Sequence, residues 1–412
     1  MAANVSIASP VSAPDHSQVL IARQPIFDVD LKLHGYELLY RSLDRTADID
    51  VDAASSQMIT VGFMDIGLTN LVENKLAYLK VSADFLASRD AMALPAARVA
   101  LEFPGDTSYD AEFLALLDEY RAEGYRLVAG CGTVTRETLP LLKRSQAIKF
   151  DVQALGLDEA ARQVGRIAPL QREIIANRVD TEGEFATLEA LGVQFFQGFF
   201  FAKPKVVSGT RIASSKLTVL RLLASLYDAE AQVDEISALV SQDVGLSYKL
   251  MRFINSAALA MPRKIDSIQR AVVFMGLATV KRWASLIVVA SIDDKPSELT
   301  RTLLVRARLC ELLCKEIDID DPGAAFTVGL FSGLDALVDQ PLAEALGGLP
   351  LASELKEALL ESKGVMALAL ACALAYERGE WMDINFAQLS APTIGALYEE
   401  AVCWSNEAMG GI

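Results

Sequence analysis

The chain has 412 residues, of which 52% are hydrophobic, with a net charge of −16 and a mean hydropathy of +0.29. Such a chain buries a large core and divides into two or three domains. The charge is −8 over residues 1–205 and −8 over 206–412, so neither half has the basic surface of a nucleic-acid-binding domain.

Residues 1–17, MAANVSIASPVSAPDHS, lack the basic start and apolar centre of a signal peptide and read as a disordered arm. No run of about 18 uncharged apolar residues appears, so no membrane span is expected and a cytoplasmic protein is. The five cysteines, Cys131, Cys310, Cys314, Cys372 and Cys403, are scattered, as free thiols are in a reducing compartment. Cys310 and Cys314 share a helix face with no histidine near them, which points to core packing.

From residue 18 to 204, β-rich runs alternate with helical patterns. VLIARQPIF (19–27) and GYELLYR (35–41) flank a turn around Asp28 to Asp30 and predict an antiparallel hairpin. Glu37, Leu39 and Arg41 share one face of the second run, so a carboxylate and a guanidinium are buried with a leucine. The helical pattern 53–72 leads to LAYLKVS (76–82) and RVALEF (98–103). Helix 109–124 leads to YRLVAG (125–130), then AIKFDV (147–152) and EIIANRV (173–179). Helix 182–192 leads to VQFFQGFFF (193–201). This alternation predicts a parallel sheet, and its length suits a compact (β/α)8-type barrel with trimmed helices.

Beyond AKPK (202–205) the strand signal ends. Helical spacing runs through 215–229, 233–243, 244–259, 299–317, 353–364 and 392–409. SIQRAVVFMG adds a helix capped by Asp266 or Ser267 and stopped by Gly276. The fold class is therefore α/β plus all-α. An arm (1–17) precedes a barrel (18–204) and a helical bundle (205–412) with a core of its own. Both histidines, His16 and His34, precede the bundle, so no His–Asp metal site can form there.

The polar residues at the barrel strand ends are Glu37 and Arg41, Lys80, Glu102, Lys149 with Asp151, Asn177 and Gln197; the fifth strand offers Ala129 and Gly130. The order of motifs resembles the EAL family of cyclic di-GMP phosphodiesterases over about residues 19–204. ELLYR resembles its E-x-L-x-R signature, IKFD its I-K-x-D and QGFFFAKP its Q-G-(Y/F)-x-(Y/F)-x-x-P. LKVS, LEF, VAGCGT and ANRVDT stand in the intervening places. The resemblance implies metal held by the signature Glu, a strand Asn and Glu, paired Asp and a late Glu. Here Glu37, Glu102, Lys149 and Gln197 are kept, but Lys80, Ala129, Gly130 and Asn177 replace the other ligands. These departures imply no Mg²⁺ or Mn²⁺ and no catalysis. Glu37 and Arg41 then form a satisfied buried pair with Lys80 and Lys149, or Arg41, Lys80 and Lys149 line a pocket for dinucleotide phosphates. Gln197 either faces that pocket or caps a strand end.

The pattern QDVGLSYKLMRFINSAAL (242–259) followed by 265–286 resembles the HDOD family through Asp243, Leu246, Asn255, Ser256, Ala257, Ala271 and Gly276. Asn255 is expected as a buried, satisfied amide. Residues 249–282 include Arg263, Lys264, Lys281 and Arg282, read as a solvated face or as a docking patch for an acidic or phosphorylated partner. Taken together, the resemblances imply an EAL–HDOD regulator that is not an enzyme and acts through other signalling proteins, with self-association as an option. The alternative is a cyclic di-GMP receptor or a phosphodiesterase of residual activity.

Overall fold

The computed structural model describes residues 19–42, 67–106, 109–203, 214–228, 244–255, 265, 267–290, 292 and 295–411. The expected helices over 53–66 and 233–243, Arg263 and Lys264 lie outside them.

The first half is a closed eight-stranded barrel. Its strands are β1 (Val19–Asp28), β2 (Leu33–Ser42), β3 (Leu76–Lys80), β4 (Val99–Pro104), β5 (Arg126–Gly130), β6 (Ala147–Asp151), β7 (Glu173–Asn177) and β8 (Phe195–Gln197). β1 runs antiparallel to both neighbours, β2 and β8, while β2 to β8 pair in parallel order. The hairpin turn is closed by Asp28, whose Oδ1 accepts from the N–H groups of Asp30 and Lys32, both at 2.9 Å. Between the parallel strands lie α1 (Leu68–Val72), α2 (Ala83–Ser88), α3 (Ala111–Ala122), α4 (Leu139–Leu142), α5 (Val152–Leu155), α6 (Leu157–Ile167) and α7 (Glu182–Ala190). Caps mark their starts: Asp110 accepts from Phe113 N, and Thr181 and Glu184 form a reciprocal capping box.

Every regular element among the described residues of the second half is a helix. It runs α8 (Ser214–Tyr227), α9 (Val244–Ile254), α10 (Ile268–Met275), α11 (Leu277–Ala290), α12 (Ser297–Glu316), α13 (Pro322–Phe331), α14 (Leu334–Val338), α15 (Leu342–Gly347), α16 (Ser353–Leu360), α17 (Val365–Arg378) and α18 (Ala391–Gly411). Ser267 caps α10 through Arg270 N, and Gly276 stops it with a φ of 84°. Asn255 is a pin between chain segments. Its Oδ1 accepts from Ile265 N at 2.7 Å, and its Nδ2 donates to Ile265 O and Met251 O, both at 2.8 Å. Residues 353–378 have the length and apolarity of a membrane span. They are two helices, with Gly364 opening the second, and Cys372, Ala373 and Tyr376 of α17 lie in the core. The five cysteines are free.

The two halves do not keep separate cores, contrary to the expectation from their different periods. One apolar layer joins the outer faces of the strands to α12, α17 and α18. The reason lies in the hairpin. A tight turn joins β1 to β2, so that connection has no crossover helix to cover Leu20, Ile21, Tyr36 and Leu38. The bundle covers them instead. Tyr36 Oη donates to Glu298 at 2.8 Å, Tyr376 Oη to Ile21 O at 3.3 Å, and Arg301 pairs with Glu73 at 2.9 Å.

Candidate functional site

Side chains on one face of a strand recur every second residue, which stacks the barrel interior in layers. The central layer is apolar: Ile26, Tyr78, Ala100, Val128, Ala147 and Ile175, with Phe195 against it. Two residues nearer the C-terminal ends of β3 to β8, the sequence places Lys80, Glu102, Gly130, Lys149, Asn177 and Gln197. On β1, which runs the other way, the matching residue is Gln24, and its register partner on β2 is Glu37. The site is thus one polar layer lying on an apolar one, at the end of the barrel where functional residues gather.

Lys149 is the centre of this layer. Its Nζ donates to Glu37 Oε2 and to Glu102 Oε2, both at 2.8 Å, and all three side chains are buried. Gln197 Nε2 donates to the same Glu37 oxygen at 2.5 Å and to Gln24 Oε1 at 3.0 Å. Gln24 Nε2 continues outward to the carbonyl oxygen of Glu377, at the end of α17, at 3.2 Å. Gln197 Oε1 is buried and accepts no hydrogen bond among the described residues.

The two carboxylates differ in their titration. Burial opposes the charge of Glu37, but the Lys149 ammonium, the hydrogen bonds from Lys149 and Gln197 and the charge of Lys80 outweigh it, so its pKa lies below the ordinary value. Burial dominates at Glu102, and repulsion from Glu37 adds to it, so its pKa is raised despite Lys149. Burial alone would lower Lys149, yet the two carboxylates hold it firmly protonated. One ammonium facing two carboxylates leaves the cluster with an excess negative charge, which is relieved first by a proton on Glu102.

The remaining predicted residues divide. Lys80 is exposed at the rim, and its carbonyl accepts from Tyr40 Oη. Arg41 does not pair with Glu37; its Nη1 points out to Met382 Sδ at 3.2 Å. The expected Glu37–Arg41 pair is therefore replaced by Glu37–Lys149, because Arg41 lies four residues further along β2, past the buried layer. Ala129 faces the outer apolar layer, not the site. A Cβ on Gly130 would lie 3.4 Å from Glu102 Oε1. Asn177 turns back, its Oδ1 accepting from Arg178 N at 2.8 Å. Asp151 caps α5 through Ala154 N. Gly198 after Gln197 has a φ of 148°, and a Cβ there would lie 2.0 Å from Val179 O, so only glycine carries the chain past that strand end. His34 lies at the opposite end of the barrel, 2.9 Å from Tyr78 Oη.

Of the expected docking patch, Arg263 and Lys264 lie outside the described residues, and Lys281 and Arg282 have partners within the fold. Arg282 is spent on Glu311 at 3.0 Å and on Thr279 at 3.2 Å, with Gly323 packed against its guanidinium. Lys281 Nζ donates to Asp228 O at 3.1 Å. Sequence reasoning missed Gln24 and Glu377. The argument that singled out Glu37 applies equally to the polar Arg23–Gln24 step inside the apolar run VLIARQPIF; Glu377 has no local signal, since its role is set by tertiary contact.

Comparison with known proteins extends the geometry to a family. The HDOD domain model matches residues 212–343. The cyclic di-GMP phosphodiesterase CdgJ of Vibrio cholerae is 30% identical over 372 residues, covering 89% of this chain and 86% of CdgJ. This chain belongs to the EAL–HDOD family. The EAL–HDOD protein is also similar to YuxH of Bacillus subtilis, 26% identical over 407 residues, covering 95% of this chain and 99% of YuxH. Among solved structures, Klebsiella pneumoniae BlrP1 in its calcium and cyclic di-GMP complex matches with a TM-score of 0.38 and 21% identity, over 47% of this chain and 58% of that one. The expectation that the EAL–HDOD protein is not an enzyme is overturned by CdgJ, a relative over nearly the whole chain that is a phosphodiesterase. The lost ligand positions are not a sufficient ground for excluding activity.

Proposed function

We propose that this EAL–HDOD protein is a cyclic di-GMP signalling protein whose barrel mouth binds the nucleotide and hydrolyses it slowly. The observation that carries the reading is the match to CdgJ through both halves of the chain. The chemistry of the polar layer supports it. Arg41 and Lys80 supply positive charge at the mouth, the complement of a phosphodiester, while Lys149 below them is taken up by Glu37 and Glu102. Glu37 and Glu102 have pKa values pushed in opposite directions, burial being outweighed by Lys149 at Glu37 but not at Glu102. The residues present do not fit a pair of divalent ions. Both carboxylates are committed to one ammonium, Lys80 adds positive charge, and no group of three His, Cys, Asp or Glu side chains converges among the described residues. In this reading the chain works in the cytoplasm, and the helical half passes the nucleotide signal to other signalling proteins.

The test is titration of the full chain with cyclic di-GMP, with and without Mn²⁺, following both bound nucleotide and the linear product pGpG. Saturable binding and slow product formation are expected. Arg41→Glu with Lys80→Glu should weaken binding about a hundredfold or more, the scale of two charge-assisted contacts. No saturable binding and no linear product after prolonged incubation would overturn the reading.

A further inference from the structure

The mouth of the barrel is covered along its β8–β1–β2 side by the helical half. α17 ends there: the carbonyl oxygen of Glu377 takes the hydrogen bond from Gln24 at 3.2 Å. Arg378 places its guanidinium 5.9 Å from the centre of the Phe199 ring, just past β8. Gly379 turns the chain with a φ of 68°, and a Cβ there would lie 2.8 Å from Leu39 Cδ1, so the backbone runs directly over β2. Met382 then meets Arg41. The anchor and the tip of this segment differ in strength. Glu377 is fixed by two hydrogen bonds from Arg306, both at 2.8 Å. Met382 is 81% exposed, and its thioether is a weak acceptor for a guanidinium. A phosphate oxygen is a far better partner for Arg41.

We propose that Gly379–Asp383 is a stopper built into the chain, which cyclic di-GMP displaces from Arg41 and Leu39 on entering the barrel. The proposal rests on the reading of the mouth as a cyclic di-GMP site. Its consequence is reciprocal coupling. Whatever draws this segment away from the mouth raises nucleotide affinity, and the nucleotide in turn frees the segment. Glu377 stays anchored while the chain swings beyond the Gly379 turn, so the bundle senses occupancy without unfolding.

The experiment uses the full chain, cyclic di-GMP as the probe, and two readouts: equilibrium affinity, and hydrogen exchange at residues 378–384. Met382→Ala changes an exposed side chain and keeps the fold; Trp381→Ala with Met382→Ala removes more of the segment's contacts. The expected results are affinity tightened about three- to tenfold in these variants, and faster exchange at 378–384 in the wild type once nucleotide is added. Binding by the variants alone would support the stopper in its strongest form. Equal affinity in wild type and variants with unchanged exchange overturns the stopper and leaves the nucleotide site standing. No binding to any of them overturns both.

Discussion

In the helical half, Arg306 meets Glu377 through two parallel hydrogen bonds of 2.8 Å while its Nη1 donates to Ser332 at 2.7 Å. In the barrel, Lys149 is shared between Glu37 and Glu102, and Gln197 Oε1 has no partner among the described residues. Both clusters are buried, but only the first balances one cation with one anion in a planar fork. A balanced cluster has nothing left to offer a ligand, and its role is to hold α12 to α17. The unbalanced cluster keeps an excess carboxylate and an unused amide oxygen at the functional end of the barrel. The two clusters therefore differ in unspent polar capacity and not in burial of charge.

Breaking the balanced pair should have the largest effect. Glu377→Ala leaves the Arg306 charge buried and should cost about 3–5 kcal/mol, read as a lower denaturant midpoint. A loss under 1 kcal/mol would remove the distinction drawn between the clusters. Lys149→Met should cost about 3 kcal/mol at pH 8, where two bare carboxylates face each other, and less at pH 5, where they can take up protons. If that variant loses the same stability at both pH values, the carboxylates are not held together by the ammonium.

Glu102→Gln sharpens the comparison further. A raised pKa in the fold means that the stabilising contribution of Glu102 is complete below its unfolded value near 4.5 and is lost as pH rises through its folded value. Glutamine mimics the protonated form. The variant should therefore match or exceed wild-type stability at pH 7 by up to about 1 kcal/mol, and the gain should shrink toward pH 4. A clear loss at pH 7 would assign the excess charge to Glu37 instead.

The smallest effect concerns His34, whose pKa is lowered to about 4 by burial and then by the charge of Arg126. Its neutral form is favoured by the fold, so its contribution is present above pH 6.5 and is lost as pH falls toward 4. His34→Phe should flatten the stability profile in that window only. A slope that persists unchanged in the variant would place the titration elsewhere.

The eight strands, their order and the hairpin were legible from period-two runs and turn residues, because each is a local pattern with a local cause. The polar layer was legible for Glu37, Glu102, Lys149 and Gln197, since buried polar residues stand out in apolar strands. Its wiring was not. Whether Lys149 takes Glu37 or leaves it to Arg41 depends on how far each side chain stands above the apolar layer, which depends on barrel register. Ala129 was misjudged by one step of strand alternation. Arg282 seemed free because its partner, Glu311, lies on another helix. The separation into two cores was misread for a similar reason: a change of period marks where helices begin, not what they cover.

The uncovered hairpin also sets the timing of folding during synthesis. β1 and β2 are made well before α17 and α18, which shield their outer faces and lie more than 300 residues further along. At about 5–20 residues per second, the nascent barrel waits on the order of 20–60 s with that surface exposed. Contacts of such long range fold slowly and invite mispairing. Premature truncation between β8 and α17 would leave a chain whose barrel strands are all made and whose first two lack a roof.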